Sequence, residues 1–225
     1  MKKLLSAFAF CYFALASGVF AAGQNPAVQT AAPSLDDQLM NAAEQGDTAA
    51  VAQLLAQGAL PDAQNASGNT PLIAATVTGH EEIVKLLLDK GANPGLHDKT
   101  GCAALHFAAM TGNLDAAKLL LDKNAPVNEK NDRGLTPLMY SVVSKKVELV
   151  NLLLDHGADV EAHDPDGVTS LMAASGGGFT DIVKALLDHG ANVNDKSTDG
   201  TTALKLALQF SHSDVVDLLR AKGAQ

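Results

Sequence analysis

Residues 69–101 read NTPLIAATVTGHEEIVKLLLDKGANPGLHDKTG, and this stretch decides the fold. Thr70 precedes Pro71, and proline is tolerated in the first turn of a helix because that position has no intrahelical N–H bond to lose. A short helix therefore starts there. It runs through Leu72, Ala74 and Ala75 to Gly79, where a residue without Cβ can turn left-handed. A second helix follows, with Ile83, Val84, Leu86, Leu87 and Leu88 forming an apolar stripe at helical spacing. Glu81 and Glu82 sit at its positive N-terminal end, and Lys90-Gly91 closes it. About ten residues of loop containing Gly and Asp then lead to the next helix start.

The same unit returns along the chain. Gly-x-x-x-Leu recurs as Gly68-Leu72, Gly101-Leu105, Gly134-Leu138, Gly167-Leu171 and Gly200-Leu204, each 33 residues after the last. Leu54, Leu87, Leu120, Leu153, Leu186 and Leu219 keep that step, as do Ala59, Ala92, Ala125, Ala158, Ala191 and Ala224. Six units are expected in one register without an insertion, over 35–67, 68–100, 101–133, 134–166, 167–199 and 200–225. Composition agrees. Of the 225 residues 47% are hydrophobic but only 4% aromatic, and five of the nine aromatics (Phe8, Phe10, Tyr12, Phe13, Phe20) fall in the first 20 residues. A thick core of large rings is excluded, whereas Ala, Leu and Val suit thin layers of closely packed helices.

These residues resemble the ankyrin repeat, whose motifs stand here as Asp98-x-x-Gly101, Thr70-Pro71-Leu72, Thr136-Pro137-Leu138, Leu105-His106 and Leu153-Leu154-Asp155-His156-Gly157-Ala158. The resemblance covers 35–225 and implies an all-α solenoid of helix-turn-helix units with finger loops. Departures carry information. The family's His stands only at His106, with Ile73, Met139, Met172 and Lys205 in the other slots. Lys145 and Ser211 replace the Gly that ends the first helix, so strained or reshaped turns are expected there. The end units are expected to present polar faces, through Asn41, Glu44 and Gln45 at one end and Lys205, Gln209, Ser211, Ser213, Arg220 and Lys222 at the other.

The N-terminus reads as an address. Lys2 and Lys3 precede a nearly uncharged apolar run of 12 residues over 4–15, and Val19-Phe20-Ala21 has the small residues at −3 and −1 that a signal peptidase reads. A retained membrane anchor needs about 20 continuous apolar residues, and Ser17-Gly18 interrupts this run too early. A signal peptide over 1–21, a flexible leader over 22–34 and a periplasmic location follow as expectations. Cleavage removes two Lys and no acid from a chain of net charge −9, so the mature chain carries −11. Nucleic acid and anionic membrane are poor partners for that charge. Cys11 leaves with the signal and Cys102 stays alone, which excludes an internal disulfide.

Motifs for catalysis are missing: the sequence has no His-Glu-x-x-His, Gly-x-Ser-x-Gly or Gly-x-x-x-x-Gly-Lys. Ser175-Gly176-Gly177-Gly178 falls at the end of the fifth unit's first helix, where glycine is structural, and Asp164-Pro165-Asp166-Gly167 reads as a tight turn. His156 and His189 are one unit apart, roughly 10 Å between packed helices and too far for one zinc. No enzyme activity, cofactor or metal is expected. Cys102 is expected to face outward on a finger as a harmless exposed thiol, the alternative being a mixed or intermolecular disulfide in an oxidising compartment.

Function then rests on a surface. The resemblance implies an elongated concave face made by the fingers and first helices. Its outward positions are Lys99, Thr100, Cys102, Met110, Asp132, Arg133, Leu135, Val143, Pro165, Asp166, Val168, Asp199, Thr201, Gln209 and Phe210. Met110, Leu135, Val143 and Val168 are read as an apolar centre, with Asp132, Arg133, Asp166 and Asp199 around them. On this reading truncating Leu135 costs little. The expected protein is a monomer that docks another protein, no nucleic acid and no membrane, and the resemblance implies a helper of a periplasmic enzyme such as a catalase in peroxide defence. Two other classes stand beside it: an inhibitor or immunity protein neutralising a toxic protein, and a redox or metal-handling protein relying on Cys102 and His106.

Overall fold

The computed structural model describes residues 32–225. The expected signal over 1–21, Cys11 and most of the leader over 22–34 lie outside the described residues.

Twelve helices form among the described residues, and they come in six consecutive pairs: α1 (Leu35–Gln45) and α2 (Thr48–Ala56), α3 (Pro71–Thr78) and α4 (Glu81–Asp89), α5 (Ala104–Thr111) and α6 (Leu114–Asp122), α7 (Pro137–Ser144) and α8 (Val147–Asp155), α9 (Ser170–Gly177) and α10 (Thr180–Asp188), α11 (Ala203–Gln209) and α12 (Ser213–Ala221). We call the first helix of each pair inner and the second outer. The pair read from residues 69–101 is found as α3 and α4, and the Ser-Gly-Gly-Gly run closes α9 as expected.

All the inner helices but the third are started by a hydroxyl, Ser34 Oγ capping the first. The Thr70, Thr136, Thr169 and Thr202 Oγ1 atoms accept from the N–H three residues on, at 3.2, 3.4, 3.3 and 3.2 Å. Such a cap satisfies one of the donors a helix start leaves free. The third pair has Ala103 at that place and no side-chain cap of this kind; His106 Nδ1 instead turns back to accept from Ala103 N–H at 3.2 Å.

The inner helices end in a left-handed residue: Gly46, Gly79, Gly112 and Gly178 have φ of 81°, 78°, 74° and 71°, and Lys145 and Ser211 are forced into the same region at 58° and 60°. The expected strain at those two turns is therefore present. Asn124 at φ 59° is a third case, standing where Gly58, Gly91, Gly157, Gly190 and Gly223 end the outer helices.

The core follows the 33-residue register. Leu72, Leu87, Leu105, Leu120, Leu138, Leu153, Leu171, Leu186 and Leu219 are all buried to 2% exposure or less. Each such side chain contributes about 1.5–3 kcal/mol by leaving water. Every inner helix packs on its outer partner and on its neighbouring inner helices, so the core is a row of thin layers.

The ends are only partly as expected. Asn41 and Gln45 are exposed and joined at 3.1 Å, and Lys205, Gln209, Ser211, Ser213, Arg220 and Lys222 are exposed at the far end. That far end is not wholly polar, however, because Leu208 and Phe210 stand 50% and 43% exposed among them. Leu208 occupies the register that Thr76, Ala109, Val142 and Ser175 bury under the next pair, and no further pair covers it among the described residues.

Candidate protein-binding face

A short polar side chain builds each finger. Asn65 Oδ1 accepts from the N–H of Ser67 and Asn69, Asp98 Oδ1 from Thr100 and Cys102, Asn131 Oδ1 from Arg133 and Leu135, and Asp164 Oδ1 from Asp166 and Val168, all between 2.8 and 3.1 Å. Ser197 Oγ accepts from Thr201 at 3.1 Å in the last finger. One side chain thus holds two successive turns of backbone, the local competition with regular structure typical of Asn, Asp and Ser. The Asp164–Gly167 turn expected from sequence is closed by Gly167 N–H to Asp164 O at 2.9 Å.

This turn has a consequence for the side chain four residues on, because the backbone pulled toward the Asx oxygen carries that side chain inward. Leu135 is 2% exposed, Val168 6% and Cys102 6%. The outward placement expected for these three is therefore corrected. Leu135 and Val168 belong to the core beneath the fingers, and the apolar centre of the face cannot be built from them.

Elsewhere the expected face is exposed. Lys99, Thr100, Asp132, Arg133, Pro165, Asp166 and Asp199 lie open on the finger tips, Gln209 and Phe210 are exposed at the end of the last inner helix, and Thr201, expected outward, is half-buried. Met110 and Val143 are half-buried on inner helices. Val77 in the second pair, which sequence reading passed over, shares their register and exposure, so Val77, Met110 and Val143 form an apolar stripe at steps of 33 with charged finger tips beside it. The Asp199 carboxyl accepts from Thr201 and Ser197, and these bonds pull its pKa down to about 2, so it is ionised at any physiological pH.

Behind the fingers of the third and fourth pairs lies a buried polar network. Asn131 Nδ2 donates to Tyr140 Oη at 2.9 Å and lies 3.2 Å from Cys102 Sγ. His106 Nε2 lies 3.0 Å from Glu129 O and 3.3 Å from Leu135 O, and its ring meets the Tyr140 ring edge-on at 6.0 Å. Burial pushes the Cys102 thiol up and the His106 imidazole down, which keeps both groups neutral. A thiol so placed is neither accessible nor activated, which corrects the exposed Cys102 expected from sequence. The remaining histidines are engaged separately: His156 Nδ1 lies 2.8 Å from Leu152 O, and His189 Nε2 lies 3.4 Å from Asp155 Oδ1. Among the described residues no three His, Cys, Asp or Glu side chains gather as a metal ion would require.

Known proteins share this fold. The Bcl-3 ankyrin repeat domain, described as a unique member of the IkappaB protein family, is 34% identical, with 84% of this chain and 87% of that chain covered at a TM-score of 0.77. An ankyrin repeat domain from Acinetobacter baumannii is 29% identical, with 83% and 98% covered at a TM-score of 0.79. No curated protein matches. The profile of ankyrin repeats in three copies matches over residues 22–98, 39–131, 90–164 and 160–225, and with this coverage the chain belongs to the ankyrin repeat family.

Proposed function

We propose that this chain is exported to the periplasm and works there as a non-catalytic monomer that docks a protein partner on its finger and inner-helix face. The observation that carries the reading is the half-exposed stripe Val77, Met110 and Val143 running beside the charged tips Lys99, Asp132, Arg133, Asp166 and Asp199. Apolar centres with charged rims are how docking faces are built. Ankyrin repeats are in general protein–protein interaction modules, and export is supported by Lys2-Lys3, the apolar run and Val19-Phe20-Ala21. The partner we favour is a periplasmic enzyme such as a catalase, which the chain would assist in peroxide defence by stoichiometric docking. The acidic tips Asp132, Asp166 and Asp199 also suit a basic toxic protein, which would make the chain its inhibitor.

Photo-crosslinking in the native host tests both the location and the face. A photoreactive residue at Met110 or Val143 is expected to capture one protein in the periplasmic fraction, and one at Lys118 on the outer helix α6 is expected to capture none. The identity of the captured protein separates an enzyme from a toxin. Absence of the chain from that fraction overturns the export reading, and capture from Lys118 alone moves the interface to the outer helices.

A further inference from the structure

Five junctions join the six helix pairs, and two kinds of hydrogen bond recur across them. One ties successive fingers: Lys99 N–H donates to Ser67 O at 3.0 Å, Asp132 N–H to Thr100 O at 3.1 Å, and Thr198 N–H to Asp166 O at 2.9 Å. The other ties the residue before an outer helix to the end of the preceding inner helix: His80 Nε2 lies 3.3 Å from Glu44 O, and His212 Nε2 lies 3.0 Å from Gly176 O. The first junction has the imidazole link, the second and third have the finger link, and the fifth has both.

The fourth junction, between α7/α8 and α9/α10, has neither. Its finger position is Pro165, which has no N–H to donate. Its imidazole position is Phe179, which has no polar side-chain atom and instead holds the Lys145 ammonium 5.1 Å above its ring. The two fingers touch closely, since a Cβ added at Gly134 would lie 2.9 Å from Pro165 Cδ, but Pro165 brings no backbone donor to the contact. The inner helices α7 and α9 also pack less extensively than any other neighbouring inner pair. Lys145, strained into the left-handed region, ends α7 at the same place. Apart from the Lys145–Phe179 contact at the end of α7, what crosses this junction lies at the finger stems or on the outer side. Lys130 Nζ donates to His163 O at 2.9 Å, His189 faces Asp155 at 3.4 Å, and α8 and α10 pack as closely as other outer pairs. Exposed polar links of this kind hold little.

We propose that the array is jointed here. Helices α1–α8 and α9–α12 form two arms, each with its own finger and imidazole links, and the interface between them is the first to part, from the inner-helix side, which leaves the shorter arm α9–α12 to unfold as a block. In a row where each unit touches only its neighbours, the weakest interface decides where the row parts. The joint is a property of the free chain. Its use rests on the docking face proposed above: it lets the span between the Asp132–Arg133 and Asp166 finger tips adjust to the protein seated on them.

Native-state hydrogen exchange followed by mass spectrometry tests the joint on the full chain without any partner. At low denaturant the amides of α9–α12 are expected to lose protection together while α1–α8 keep theirs, with the boundary between residues 156 and 169. Pro165→Thr places at 165 the residue found at 198 and restores a donor. It is expected to slow the opening of that block about five-fold, the worth of one net backbone hydrogen bond. Phe179→His, which puts an imidazole at the register of His80 and His212, is read the same way and serves if Pro165→Thr does not fold. Thr198→Pro is expected to add a second boundary between the fifth and sixth pairs. A first boundary at any other junction, or unchanged opening in the folded variants, overturns the joint. Neither result bears on the crosslinking outcome, so the two readings fail separately.

Discussion

Asn131 spends its whole side chain on neighbours. Oδ1 holds the backbone of Arg133 and Leu135, and Nδ2 reaches Tyr140 Oη and Cys102 Sγ. No shorter or longer residue offers an acceptor and two donors at that reach, and the aspartates at 98 and 164 supply only the acceptor half. The thiol that the Asp98 turn carries inward thus finds its polar partner in a residue 29 positions away. In the folded chain Cys102 is expected to react with a water-soluble disulfide reagent at least about a hundred-fold more slowly than in denaturant, because reaction must wait for opening. Asn131→Ala leaves buried partners unsatisfied, costs about 1–3 kcal/mol and speeds labelling in proportion. Equal labelling rates in the folded and unfolded wild-type chain would put Cys102 back on the surface.

At the scale of the helix, each inner helix must end in a left-handed residue so that the chain can turn into the outer one. Glycine reaches that region without steric cost, and an L side chain pays about 1–2 kcal/mol for it. Ser211→Gly is therefore expected to stabilise the protein by about 1 kcal/mol, part of the relief being returned as unfolded-state entropy. Lys145→Gly is expected to gain less, since it also removes the ammonium from Phe179, a contact worth about 0.5–1 kcal/mol at an exposed site. Chemical denaturation of the two variants measures both, and a loss of stability in Ser211→Gly would show that the turn is not left-handed. These positions were legible in the sequence because a missing glycine breaks an otherwise regular column. Asn124 was passed over because asparagine tolerates the same region and does not stand out. Leu135 and Val168 were misplaced for a different reason. A position counted along a motif says which residue follows the turn, whereas the inward tilt of its side chain depends on the Asx bond four residues earlier. Val77 could have been found by carrying the Met110 and Val143 register back one unit. The joint at Pro165 needed the inter-unit bonds, since a proline in a turn otherwise looks ordinary.

Over the whole array, stability is the sum of six modest pairs and the interfaces between them, so a cavity in the middle acts on both sides at once. Leu153 is fully buried in the fourth pair, in register with Leu120 before it and Leu186 after it. Leu153→Ala removes buried volume that its neighbours cannot refill, at a cost of about 2–5 kcal/mol. It does so beside the junction that carries neither inter-unit link. Denaturation followed by circular dichroism is expected to change from one transition to two, with the arm α9–α12 melting first. Leu219→Ala, equally buried in the last pair, has a neighbour on one side only and is expected to lower the midpoint while leaving a single transition. Leu135→Ala, which an outward finger residue would survive at little cost, now falls in the same destabilising class as Leu153→Ala, since the side chain is 2% exposed. A Leu135→Ala protein as stable as wild type would return that side chain to the face, and a single sharp transition in Leu153→Ala would show that coupling across the fourth junction is as strong as across the others.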